Sequence, residues 1–354
     1  MILKMHEICK MVLAWQVEER FCGKIKMKHR SIFHKIIRQR GYHAMIINTG
    51  QRTDIPAFYP EWFANRLRAG YVCVRNPYNP QQVSRYRLDP GVVDVIGFCT
   101  KNPKPFFPYL SLLEPYGQYW FVTITPYGKD IEPYVPPAEQ VMESFKFLSL
   151  RTGIHSIGWR YDPILLTQEY TKEWHIHTFD SMAGVLEGYT ETVVISFVDL
   201  YQKVRRNFPQ LKEVSWEDRV DMGKAMAEIA RRHNMRIKTC AEGKLLAPYG
   251  VDCTGCLTVD VYEKAIEQPL EVPVRKQSRA WCSCYLSCDI GAYDTCGHLC
   301  RYCYANNDVR MVQRHRMDHD KHSPFLIGGY RDGDIIHQVP QQSWIRREQN
   351  LFEI

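Results

Sequence analysis

The sequence predicts an α/β fold built on a parallel sheet, arranged as a full or partial (β/α) TIM-like barrel. Three observations lead there. From Met45 onward, short apolar runs rich in β-branched and aromatic residues alternate with longer stretches of helical period. Alternation of that kind builds parallel strands joined by helical crossovers. Nearly every apolar run also ends in charged or hydrogen-bonding residues, as the ligand-bearing C-terminal strand edges of such folds do.

In chain order, the expected strands are Met45–Asn48, Tyr71–Val74, Val92–Phe98, Tyr119–Ile124, Ser156–Trp159, Val193–Phe197 and Met235–Thr239, with an eighth near Leu286–Ile290. Each is short and bounded by turn-forming or polar residues. The expected helices are Glu61–Ala69, Ala138–Leu150, Lys172–Glu187, Trp216–His233 and Val261–Glu267. Ser215 is a natural N-cap for the helix at Trp216, and Glu217 and Asp218 suit the positive end of its dipole.

After the strands come Arg52-Thr53-Asp54, Thr100-Lys101-Asn102-Pro103, Arg160-Tyr161-Asp162-Pro163, Ser196-Phe197-Val198-Asp199 and Cys240-Ala241-Glu242. Asp, Asn, Ser and Pro belong at helix starts and turns in any case. Arg52, Lys101 and Arg160 do not, and turn chemistry does not ask for them. They are therefore expected, with Asp54, Asn102, Asp162, Asp199 and Glu242, to line one polar pocket.

Residues 1–44 hold ten Lys and Arg against three acids, which accounts for the whole net charge of +7. The rest of the chain is neutral, which argues against a globally basic nucleic-acid binder. Three regions are expected: a basic N-terminal extension (1–44) that reads as an upstream start-site artefact, the α/β body (45–330), and a C-terminal tail (331–354). No apolar run approaches the roughly 18–20 residues that cross a bilayer, and no secretory pattern stands out. The expectation is a cytoplasmic protein without a membrane partner.

Nine of the thirteen cysteines fall between Cys240 and Cys303. Clustered thiols in a large chain without an export signal point to metal or redox chemistry. Cys296-x₃-Cys300-x₂-Cys303 can wrap one face of a [4Fe–4S] cubane, leaving one iron for an outside ligand. Tyr302 beside it suits a bound adenine. The alternative is zinc on Cys296, His298, Cys300 and Cys303. A second set, Cys240, Cys256, Cys282 and Cys284, is expected to hold a second iron–sulfur cluster or a zinc ion. Cys73 and Cys99 read as small buried residues.

The stretches Arg52-Thr53-Asp54-Ile55-Pro56-Ala57-Phe58-Tyr59, Asn76-Pro77, Thr100-Lys101-Asn102-Pro103, Trp159-Arg160-Tyr161-Asp162-Pro163-Ile164, Ser196-Phe197-Val198-Asp199 and Asp289-Ile290-Gly291-Ala292-Tyr293, together with Tyr304-Ala305-Asn306, resemble the family of domains of unknown function numbered 1848. The resemblance spans about residues 45–330. It implies a C-terminal cysteine cluster similar to that of radical S-adenosylmethionine (radical SAM) enzymes, which carry theirs near the N-terminus. A circularly permuted radical SAM barrel follows, with Leu286–Ile290 in the place of the usual first strand and Met45–Asn48 next to it. Arg52 and Asp54 then become candidates for the carboxylate and amino group of SAM. The Gly-Gly-Glu signature usual at that turn is absent.

The function this implies is reductive cleavage of SAM to a 5′-deoxyadenosyl radical that acts on an unknown substrate. Lys101, Arg160, Asp162, Asp199 and Glu242 are the candidate catalytic residues; Arg52, Asp54, Asn102 and Tyr302 are the candidate cofactor contacts. Arg and Lys suit an anionic small molecule. A reductant of the flavodoxin or ferredoxin class would be a partner. The competing readings are a structural zinc or iron–sulfur protein, and a nucleic-acid modification or repair enzyme.

Overall fold

The computed structural model describes residues 45–273, 282–285 and 288–346. The expected extension 1–44, with Cys9 and Cys22, lies outside the described residues, as do Leu286 of the eighth strand and the end of the tail from residue 347.

Seven strands form one parallel sheet: β1 (Ile46–Asn48), β4 (Val95–Thr100), β5 (Gly117–Thr123), β6 (Ile157–Ile164), β7 (Thr192–Phe197), β8 (Arg236–Thr239) and β9 (Cys288–Asp289). Their order across the sheet is β8-β7-β6-β5-β4-β1-β9, so the last strand in the chain lies beside the first. Helices α1 (Ile55–Phe58), α2 (Pro60–Ala69), α3 (Ala138–Thr152), α4 (Lys172–Leu186), α5 (Gln202–Asn207), α6 (Trp216–Arg232), α7 (Val259–Ile266) and α8 (Val309–Met317) accompany it. Ser215 caps α6 by accepting from the Asp218 N–H at 3.1 Å. Among the described residues β8 and β9 are the sheet's edges and are not paired with each other. The architecture is therefore a parallel α/β sheet flanked by helices, without a closed barrel in view.

One expected member of the series leaves it. Tyr71–Val74 becomes β2 (Tyr71–Arg75), which pairs antiparallel with β3 (Gln82–Arg87) in a separate sheet. The reason is local. Asn76 accepts from the N–H groups of Tyr78 and Asn79 at 2.9 and 3.2 Å, closing a tight turn. A hairpin leaves no room for the helical crossover that a parallel partner needs. The third strand, β10 (Ile335–Gln338), comes from the segment expected to be a tail and runs parallel to β3.

The two faces of the main sheet differ in chemistry. Strand alternation sends Phe98, Trp120, Trp159 and Tyr161 to one face, where helices cover them. Phe98 stacks on Trp120 with centroids 3.8 Å apart, and Trp159 stacks on Phe179 of α4 at 4.9 Å. The opposite face carries Asn48, Gly97, Cys99, Tyr119, Phe121, Gly158, Arg160, Asp162, Ser196 and Lys238, in positions fixed by strand register. Gly158 is required there because a Cβ would strike the Tyr119 hydroxyl. Tyr262 of α7 meets Tyr119 edge-on at 6.0 Å. Among the described residues no helix is long and apolar enough to cross a membrane.

Candidate functional site

Because all seven strands run the same way, the residues that follow them gather on one edge. Arg52 and Asp54 follow β1, Lys101 and Asn102 follow β4, Asp199 follows β7 and Glu242 follows β8; Arg160 and Asp162 lie within β6. The Cys296–Cys303 loop follows β9, on that same edge.

The loop is tied down at several points. His298 donates through Nε2 to Asp54 Oδ2 at 2.9 Å, and its Nδ1 lies 3.3 Å from the Tyr134 carbonyl. The Tyr134 N–H donates back to the His298 carbonyl at 3.3 Å, and the Arg301 N–H to that of Ile131 at 3.0 Å. Tyr302 donates its hydroxyl to Glu132, and Tyr304 donates to the Gln51 carbonyl at 2.5 Å. Tyr59 donates to the Thr295 carbonyl at 2.7 Å. Asp294 and Leu299 take left-handed backbone (φ 56° and 54°), which lets the chain curl around the three thiols.

The three loop thiols share a buried setting. Cys300 is buried, and Cys296 and Cys303 are half-buried. Burial pushes all three thiols up, and for Cys296 the nearby charges of Asp54, Cys303 and Cys300 add to it. Backbone N–H groups act the other way: His298 supports Cys296, while Ala305 and Asn306 support Cys303. The Ala305 N–H lies 3.3 Å from the Cys303 sulfur. A soft metal would offset this burial by taking the thiols as thiolates. Both ring nitrogens of His298 face oxygen atoms, those of Asp54 and Tyr134.

Several site residues have partners the sequence did not identify. Arg52 pairs with Asp289, Nε to Oδ2 at 2.5 Å, and its Nη2 donates to the Asp289 carbonyl at 2.7 Å. Asp54 is assigned by sequence to the amino group of SAM, but its carboxylate already accepts three donors. Oδ1 caps α1 at the Ala57 N–H (3.1 Å), and Oδ2 takes the Lys101 N–H (2.7 Å) and His298. Asp54 is therefore a seat for the loop. Lys101 Nζ reaches Glu132 Oε1 and Thr125 Oγ1, both at 2.9 Å. Arg160 pairs with Asp162, which also accepts from Ser196. Glu242 accepts from the Phe197 N–H at 2.8 Å and from Arg219 at 2.9 Å, and burial pushes its carboxyl up. Asp199 is exposed and accepts from the Tyr201 hydroxyl at 3.0 Å. Asn102 is half-buried, and its N–H donates to Thr100 Oγ1 at 3.0 Å. Asp289 is the last residue of β9 and was findable by the same strand-end rule; Glu132, in a long loop after β5, carried no such signal.

Arg160 Nε and Asn306 Oδ1 are buried without a hydrogen-bond partner. Such groups are costly unless a polar ligand or water meets them. Arg160 itself sits within electrostatic reach of Cys240, Cys99, Cys256 and Tyr304.

That second set is in contact. The Cys256 and Cys284 sulfurs are 2.9 Å apart, and Cys240 lies within electrostatic reach of Cys256 as Cys282 does of Cys284. Donation from Cys256 and Cys282 holds the Cys284 thiol well below its usual range. Cys253 stays out of the chain of contacts, its sulfur facing the Val251 carbonyl at 3.6 Å. Among the described residues no group of three or more Cys, His, Asp or Glu side chains stands arranged to hold a metal ion.

A cleft of about 260 Å³ opens at the opposite edge of the sheet, lined by His155, Glu191, Lys238 and Lys264 among others. Several of its charges are paired: Glu191 meets both His155 and Lys264, and Lys238 meets Asp252. The strand-end chemistry lies elsewhere.

A protein-family model described as domain of unknown function (DUF1848) matches residues 46–305. No curated protein and no solved structure matches the chain.

Proposed function

The chain belongs to the domain of unknown function (DUF1848) family, and from that premise we propose that it is a radical SAM-type enzyme with a permuted parallel barrel. The observation that carries this reading is the placement of β9 beside β1. It sets the Cys296–Cys303 loop over the same edge as Arg52, Lys101 and Arg160. Cys296, Cys300 and Cys303 would hold a [4Fe–4S] cluster. When reduced with SAM bound, that cluster supplies the electron that splits SAM into methionine and a 5′-deoxyadenosyl radical.

The protein's own residues orient and enclose. Asp54, Glu132 and Gln51 hold the loop through His298, Tyr302 and Tyr304. Arg52, braced by Asp289, is the clasp for the carboxylate of the methionyl end. Arg160 carries positive charge on the inner face with Nε unpaired, which suits an anionic group of the substrate. The aromatic rings around the loop exclude water from a reactive radical. A carrier of the flavodoxin or ferredoxin class would deliver the electron. Zinc at the loop is the second reading, and the engagement of His298 weighs against it.

The test is anaerobic reconstitution with iron and sulfide, reduction in the presence of SAM, and chromatographic assay for 5′-deoxyadenosine. Product formation dependent on Cys296, Cys300 and Cys303 is expected. A fully iron- and sulfide-loaded protein that forms none would overturn the radical SAM reading, and zinc without iron would replace the cluster.

A further inference from the structure

We propose that Cys240, Cys256, Cys282 and Cys284 form a mononuclear tetrathiolate site for one divalent ion of the zinc class, separate from the Cys296–Cys303 loop. This assignment stands independently of the radical SAM reading. It rests on the contact between sulfurs. Cys256 Sγ lies 2.9 Å from Cys284 Sγ, and Cys240 and Cys282 flank this pair within electrostatic reach of Cys256 and Cys284.

Sulfur spacing decides which metal centre fits. Four thiolates on one ion with bonds of about 2.3 Å sit on tetrahedron edges of about 3.8 Å, close to van der Waals contact. A cubane instead places each thiolate on a different iron, and its ligand sulfurs do not touch one another. Thiols in mutual contact therefore need only a small rearrangement to surround a single ion, and a large expansion to surround a cluster. The all-sulfur donor set suits a soft or borderline ion.

The backbone is arranged for such a site. Cys240 directly follows β8, and Ala241 after it has left-handed backbone (φ 60°). Gly255 (φ 126°) precedes Cys256, and its missing Cβ leaves room for Ser283, whose Cβ would stand 3.3 Å away. The two cysteine segments thus lie side by side. The Leu257 N–H points at Cys284 Sγ at 3.4 Å, and the Tyr285 N–H donates to the Leu257 carbonyl at 2.8 Å. Backbone N–H donors to metal-bound sulfur are the usual outer support of such sites. Four thiolates on a divalent ion leave a net charge of −2, and Arg160 lies close enough to Cys240 and Cys256 to offset part of it. The segment that leads to Cys256 is held at the β8 edge by the parallel bridge between Asp252 and Lys238.

Cobalt(II) is the probe. The full-length protein is stripped with a chelator under reducing conditions and titrated with cobalt(II), and the visible d–d bands and thiolate-to-cobalt charge-transfer bands are followed. About one equivalent in tetrahedral thiolate geometry is expected, displaced by zinc. Cys256→Ser and Cys284→Ser should abolish the bands, and Cys300→Ser should keep them. Cys282→His, which retains a ligand, should keep cobalt with its charge-transfer intensity reduced, so loss in the serine variants cannot be put down to unfolding. Bands that survive in both serine variants would overturn the proposal. So would a Cys256–Cys284 disulfide in the freshly isolated protein, or iron with acid-labile sulfide that remains in Cys300→Ser and disappears in Cys256→Ser.

Discussion

His298 and Asp54, 244 residues apart in the chain, are joined by a 2.9 Å bond from Nε2 to Oδ2. The bond locks the middle of the cysteine loop to the turn after the first strand. Both side chains are almost fully buried, at 2% and 5% exposure, so the interaction is shielded from solvent screening.

The replacement Asp54→Asn should loosen that seat. The amide keeps one acceptor but turns N–H donors toward the N–H groups of His298 or Lys101. Loss of hydrogen bonds to a charged acceptor costs about 1.5–3 kcal/mol. A lower melting temperature and a lower iron-to-protein ratio after reconstitution are expected. Unchanged iron loading would show that the loop does not depend on Asp54.

Lys101 and Glu132 form the buried ion pair under Tyr302, with Glu132 only 2% exposed. Lys101→Met leaves that carboxylate without its cation and should destabilise the protein by about 3–5 kcal/mol. The double variant Lys101→Met/Glu132→Gln should recover much of the loss. Denaturant unfolding of the two single variants and the double one checks the coupling; additive losses would mean the pair is not energetically linked.

Single replacement of Cys296, Cys300 or Cys303 by Ala should remove the loop's iron and reduce 5′-deoxyadenosine formation to background. The helical content seen by circular dichroism should persist, because the α/β core is formed by other residues. A variant of this set with full SAM cleavage would remove that cysteine from the cluster.

His175 sets a pH dependence of stability. It is buried between the Tyr161 hydroxyl, 2.7 Å from Nδ1, and the Leu165 carbonyl, 2.9 Å from Nε2. A carbonyl only accepts, so Nε2 carries the proton and Nδ1 accepts from Tyr161. Burial depresses its pKa from 6.5 to about 4. Between these values the unfolded chain binds a proton that the folded chain does not. The contribution is complete above about pH 6.5 and is lost as pH falls toward 4, with a ceiling of a few kcal/mol at about 1.4 kcal/mol per pH unit. Thermal melts from pH 7 to pH 4 should show the decline, and His175→Gln should flatten it. Equal slopes in both proteins would place the pH dependence elsewhere.

The sequence by itself determined the alternation of strands and helices, the polar strand ends and the two groups of cysteines. Those signals are local: hydrophobic period, turn chemistry and ligand spacing are all written within a few residues. Tertiary structure alone decided that Tyr71–Val74 leaves the main sheet for a hairpin, and that residues 335–338 join it there. It also decided the partners. Arg52 meets Asp289 across 237 residues of chain, and Asp54 spends its carboxylate on Ala57, Lys101 and His298. A charged side chain near a strand end can be read from sequence. Which opposite charge takes it depends on the order of strands across the sheet, because buried ions pair with whatever that order brings within hydrogen-bond reach.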